Sequence, residues 1–156
     1  AWWLMGCPSP SSAFAVMHDG TAPKIGTTKN GAEWTVYNIE DFATGIIRFK
    51  DNKSITIRTS YFSNCSKDIF SCEILGTKGG ITWPDTIITK PYRNNVRRRK
   101  LKVENSSLAS VAELSHFTSL IKGTDQAIVP LQQSVELIKM IDGLYESATT
   151  EQMFHF

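Results

Sequence analysis

The chain has 156 residues, 41% of them hydrophobic and 21% charged, which suffices for one globular domain with its own core. Its 17 basic and 15 acidic side chains leave a formal charge of +2, so neither nucleic acid nor an anionic membrane is expected as the main partner. No apolar run approaches the ~20 residues that span a bilayer. The opening Ala1-Trp2-Trp3-Leu4-Met5-Gly6 lacks the charged leader of a signal peptide, and a cytoplasmic location is expected. Cys7, Cys65 and Cys72 are scattered, with no Cys-x-x-Cys or ordered Cys/His spacing. They read as reduced thiols, and no metal site is expected.

In chain order, Trp2 to Met5 look like the apolar end of a helix closed by Gly6, with Pro8 beyond. A helix of five residues does not nucleate alone, so residues 1–6 are expected to be the last turn of something longer. Ser12 to His18 reads as a buried strand. Residues 19–33, with Gly20, Pro23, Gly26 and Asn30-Gly31, read as a long structureless stretch.

Phe42 to Phe49 and Ser54 to Phe62 form a hairpin whose register follows from burial. A two-residue loop would mix polar and apolar side chains on both faces. A three-residue loop of Lys50, Asp51 and Asn52, with Asn52 left-handed, pairs Phe49 with Lys53, Ile47 with Ile55 and Gly45 with Ile57. Ala43, Gly45, Ile47, Phe49, Ile55 and Ile57 then share one face. The other face shows Thr44, Ile46, Arg48, Ser54, Thr56, Arg58 and Ser60.

A strand at Asp68–Leu75 ends in the turn Gly76-Thr77-Lys78-Gly79-Gly80, and Ile81-Thr82-Trp83 returns from it. Thr86–Thr89 and roughly Val96–Val103 are shorter strands. Ser110-Val111-Ala112-Glu113 fits a capping box opening a helix with Leu114, Phe117 and Ile121 at helical spacing. A second helix is predicted from Pro130 to about Thr149, with the stripe Leu131, Val135, Ile138, Ile141, Tyr145 and Ala148. Gly143 inside it costs ~1 kcal/mol relative to alanine. Met153 to Phe156 are expected to form a short edge strand. The sum is an α+β domain, a mostly antiparallel sheet of about six strands with two main helices covering one face.

Four segments resemble, in order, the C-terminal domain of the glucose-fructose oxidoreductase / inositol dehydrogenase (Gfo/Idh/MocA) family. They are Trp3-Leu4-Met5-Gly6-Cys7-Pro8, then Tyr37-Asn38-Ile39-Glu40-Asp41-Phe42-Ala43 with its following hairpin, then Ile74 to Gly80. The last runs from Glu113 and His116-Phe117 through Ile138 and Asp142 to Tyr145-Glu146-Ser147-Ala148. Asn52 stands where the family has glycine, Gly143 where it has alanine, and Val129 where a good N-cap is usual. The resemblance implies a dihydrodipicolinate-reductase-like C-terminal fold, residues 1–156 as a single domain, and a parent oxidoreductase that uses NAD(P) on a sugar or cyclitol.

The family's Gly-x-Gly-x-x-Gly, its Glu-Lys-Pro and its Asp-x-x-x-His segment do not occur in this sequence. The resemblance therefore implies no catalytic or cofactor-binding residue in this chain, which alone is expected to be inactive and to need a Rossmann domain as partner. It places Glu40 and Asp41 near the substrate side of a cleft, with Trp34 and Tyr37 beside them to stack on a sugar ring. Adjacent in a strand, Glu40 and Asp41 would point to opposite faces, so they do not form a catalytic carboxylate pair. The mixed face of Thr44, Ile46, Arg48, Thr56, Arg58 and Ser60 is the expected homo-oligomer contact.

A stand-alone binding or assembly module derived from such an enzyme is the alternative. A nucleic-acid binder acting through Arg97 to Lys102 ranks third, because no aromatic residues interleave with those charges. That run reads better as a solvated strand or connecting loop, or as a charged sheet edge. His18 reads as a strand-end residue, His116 as a packing residue, and His155 as exposed.

Overall fold

The structure, a computed structural model, describes residues 1–20, 39–102 and 109–156, and the backbone of 26–27 and 33–34. The chain forms two compact units, one of residues 2–68 with 132–156 and the other Ile69–Leu131.

In the first unit a 3-10 turn, Trp3–Met5, ends at Gly6 in the left-handed conformation (φ 84°), as expected for the cap. Strands β1 (Pro10–His18), β4 (Phe42–Phe49) and β5 (Ser54–Ser60) follow, and β10 (Phe154–His155) completes an antiparallel sheet in the order β10-β1-β4-β5. The β4–β5 register pairs Ile47 with Ile55 and Gly45 with Ile57. The Phe49 N–H bonds the Lys53 carbonyl at 2.9 Å, and Asn52 has φ 62°, so the three-residue loop is the one formed. Short strands β2 (Gly26–Thr27) and β3 (Glu33–Trp34) pair as a ribbon, with β2 inside the stretch 19–33 expected to be structureless and β3 at its end.

Helix α2 (Leu131–Thr150) lies over the face of Ala13, Ala15, Ile47 and Phe49, and Met140 and Leu144 complete that core. The predicted stripe on α2 requires correction. Its buried residues are Met140, Gly143, Leu144 and Ser147, whereas Leu131 is 81% and Ile138 55% exposed. The cause is the sheet beneath, which is floored by small residues. A Cβ on Gly45 would come within 2.9 Å of both the Leu144 Cδ2 and the Phe14 carbonyl oxygen. The buried side of the helix mixes large Met140 and Leu144 with small Gly143 and Ser147. Gly143 belongs to the same contact, since a Cβ there would meet the rings of Phe154 and Phe156 at 2.8 Å.

The second unit holds an antiparallel sheet of β6 (Cys72–Gly76), β7 (Gly79–Trp83), β8 (Ile87–Tyr92) and β9 (Asn95–Lys100), in sequential order. Among the described residues, the strands thus form two four-stranded sheets and the β2–β3 ribbon, where one sheet of about six strands is expected. Helix α1 (Ala109–Ile121) starts one residue before Ser110, so Ser110 is helical and the predicted capping box does not open the helix. The stripe of Leu114, Phe117 and Ile121 is exposed. Helix α2 begins one residue after Pro130. The α+β class with antiparallel strands and two main helices holds.

Replacing Gly45 by alanine is expected to destabilise the fold by about 1–3 kcal/mol, because the blocking atom includes backbone that cannot rotate away. A urea denaturation midpoint unchanged from the parent would refute the close-approach explanation.

Candidate functional site

Strands β1, β4 and β5 finish side by side, with His18 paired to Phe42 and Phe42 to Ser60. Asp41, the residue before β4, ties these ends together through its backbone. Its N–H donates to the His18 carbonyl (2.9 Å), while its carbonyl accepts from the Ser60 hydroxyl (2.9 Å) and the Tyr61 N–H (2.9 Å). Asp41 is only 1% exposed, so a ligand reaches its carboxylate only by displacing what covers it. The His18 and Phe42 rings lie 6.0 Å apart between centroids.

Glu40 is half-buried and accepts a short hydrogen bond from the Tyr145 hydroxyl on α2. That bond holds the Tyr145 phenol above its ordinary pKa of 10.0, with desolvation and the negative charge of Glu40 adding to the effect. Tyr145 thus clamps the segment entering β4 onto α2. Tyr145 belongs to the apolar stripe expected on α2. The signal available was its amphipathic character, a ring that packs and a hydroxyl that finds a partner.

Of the four expected substrate residues, Glu40 and Asp41 sit together at this strand-end junction. Tyr37 and the Trp34 side chain lie outside the described residues. Thr44, Ile46, Arg48, Thr56, Arg58 and Ser60 lie on the sheet face opposite α2, with Thr44 partly buried and the others exposed. Phe14, paired to Ile46 on β1, adds a 40% exposed ring to that face. His18 ends β1 and His155 is exposed, as expected. His116 is held by Asp125 at 3.1 Å rather than by packing alone. Among the described residues, no three His, Cys, Asp or Glu side chains group as a metal site, and no helix is long and apolar enough to cross a membrane.

Two hollows open on the β6–β9 sheet. One, of about 470 Å³, is lined by Glu73, Thr82, Ile87, Thr89 and Arg98 among others. The second, of about 490 Å³, is lined by Ile74, Thr77, Lys78, Ile81, Ile88 and Lys90 among others.

Antiparallel sheets and two main helices define an α+β domain. Residues 1–154 match the profile of the Gfo/Idh/MocA oxidoreductase family, C-terminal alpha/beta domain. The chain belongs to that family.

Among solved structures, it is similar to levoglucosan dehydrogenase in complex with NADH, at 16% identity and TM-score 0.73, covering 94% of this chain and 45% of that one. It is similar to the aldose-aldose oxidoreductase of Caulobacter crescentus complexed with glycerol, at 16% identity and TM-score 0.68, covering 99% and 43%. An NAD binding oxidoreductase from Klebsiella pneumoniae matches at 12% identity and TM-score 0.71, covering 94% and 45%. The chain spans less than half the length of these proteins. No curated protein sequence matches it.

The pH dependence of the Tyr145 clamp has a definite sign. Below pH 10 the phenol keeps its proton whether the chain is folded or not. Above it the unfolded chain releases the proton while the folded chain retains it, so stability falls as pH rises through the raised value. Tyr145→Phe should lose this alkaline decline in a comparison of melting temperatures from pH 9 upward. Identical profiles would show that the bond to Glu40 does not form in solution.

Proposed function

We propose that residues 1–156 act as the single C-terminal, substrate-side domain of a cytoplasmic NAD(P)-dependent oxidoreductase acting on a sugar or cyclitol. The observation that carries this reading is the family match over residues 1–154, joined to coverage of less than half of each similar enzyme. A Rossmann domain elsewhere in the protein would supply the cofactor cradle and the acid/base group. When bound, NAD(P) supplies the hydride acceptor or donor. This chain's part is to wall the substrate with Glu40, Asp41, Trp34 and Tyr37. Glu40 is fixed by the Tyr145 clamp, which suits a carboxylate that must hold a sugar hydroxyl in one orientation.

The face of Thr44, Ile46, Arg48, Thr56, Arg58 and Ser60 is proposed as a homo-oligomer contact. Exposed Phe14 and Ile46 at the centre of a polar surround support that reading.

Two measurements test these readings. The chain alone should reduce neither NAD nor NADP with any sugar or cyclitol, while the chain with its upstream in-frame coding region should reduce one of them. Absence of a Gly-x-Gly-x-x-Gly domain upstream, with no activity on a broad panel, would overturn the oxidoreductase reading. For the contact, Ile46→Asp should convert an oligomer to a monomer by light scattering. A parent chain that is already monomeric at tens of micromolar would remove the interface proposal.

A further inference from the structure

The second hollow, of about 490 Å³, lies on a sheet face with an unusual charge arrangement. Residues paired directly across antiparallel strands point to the same side. Ile74 pairs with Ile81, Ile81 with Ile88 and Ile88 with Arg99, while Lys90 pairs with Arg97. One face of β6–β9 therefore carries an isoleucine floor bordered by Lys90, Arg97 and Arg99, and Lys78 in the β6–β7 turn lines the same hollow. Among the described residues of β6–β9, no acidic residue stands on this face. None of the four cations forms a salt bridge among the described residues.

Charge at a sheet edge that discourages pairing accounts for Arg97 and Arg99, since β9 is an edge strand exposed along its length. It does not account for Lys90. That residue sits on β8, flanked by β7 and β9, directly opposite Arg97. Like charges in directly opposed positions destabilise a sheet, and a doubly charged anion between them would reverse the sign of the interaction. Lys78 and Lys90 line the open hollow, and its floor of Ile74, Ile81 and Ile88 suits the organic body of a ligand.

We propose that the Lys78, Lys90, Arg97 and Arg99 face binds a small phosphate ester, its phosphate between Lys90 and Arg97 and its organic body over Ile81 and Ile88. The site is independent of the oxidoreductase reading, because it uses none of the residues placed in the substrate wall.

The test is calorimetric titration of the full chain with inorganic phosphate, inorganic pyrophosphate and glycerol phosphate at fixed ionic strength, with melting temperatures read in parallel. Glycerol phosphate should bind at least as tightly as inorganic phosphate and raise the melting temperature beyond what matched sodium chloride does. Lys90→Gln and Arg97→Gln should each weaken binding by about tenfold or more. Both should melt no lower than the parent in anion-free buffer, because each relieves the opposed charges. Arg98→Gln and Lys100→Gln, whose side chains lie on the opposite face, should leave affinity within about twofold.

Equal stabilisation by sodium chloride, or equal weakening by variants on either face, would overturn the site in favour of diffuse charge screening. A single-stranded oligonucleotide that binds far more tightly than pyrophosphate would overturn the small-ligand assignment in favour of an extended polyanion surface. Binding of inorganic phosphate with no gain from the glycerol ester would overturn the role given to the isoleucine floor.

Discussion

The first unit depends on one buried hydroxyl. Strand β10 is two residues long and pairs with β1 only at Ser12 and Ala13. Farther along that edge, the Ala15 N–H points at helix α2 and donates to the Ser147 hydroxyl oxygen at 3.2 Å. Ser147 is fully buried, and it donates in turn to the Gln152 carbonyl at 2.5 Å. The hydroxyl takes over where the edge strand stops, and it holds the turn that delivers that strand. A buried donor left unmatched costs roughly 1–3 kcal/mol, so a helix without a small polar residue at this position could not lie so close. The bare Cα of Gly45 beneath Leu144 and the gap at Gly143 that admits Phe154 and Phe156 follow from the same closeness.

This constraint explains what was legible in the sequence and what was not. The β4–β5 hairpin was readable because alternation allows only one register that segregates apolar from polar residues, and Asn52 tolerates the left-handed loop position. The stripe on α2 was not readable from periodicity, which favours large apolar side chains. The helix face turned to Ala13, Ala15, Ile47 and Phe49 carries Met140, Gly143, Leu144 and Ser147, while Ile138 and Leu131 stay exposed. Gly143, a departure from the family pattern, leaves the space that the Phe154 and Phe156 rings occupy. The candidate site was half legible. Glu40 and Asp41 were placed through resemblance, but nothing in their spacing showed that Asp41 would tie three strand ends through its backbone, or that Tyr145 would reach Glu40 from a distant helix.

The two units distribute polar chemistry differently. In the first, polar groups are spent on structure: Ser147 closes an edge, Asp41 ties strand ends, and Asp51 braces the hairpin loop through Lys53. In the second, the cations of the β6–β9 sheet have no acidic partners among the described residues, and both hollows open on that sheet. The apolar core thus sits under α2 in one unit, and the unneutralised cations sit on the sheet of the other.

The bond from Ala15 to Ser147 joins residues 132 positions apart. On a ribosome adding about 5–20 residues per second, β1 is made on the order of ten seconds before the helix that covers it. During that interval the β1–β4–β5 meander can pair its strands, yet the face of Ala13, Ala15, Ile47 and Phe49 has no lid. That face gains its cover only once α2 has left the ribosome, so its burial is necessarily among the last steps of folding during synthesis.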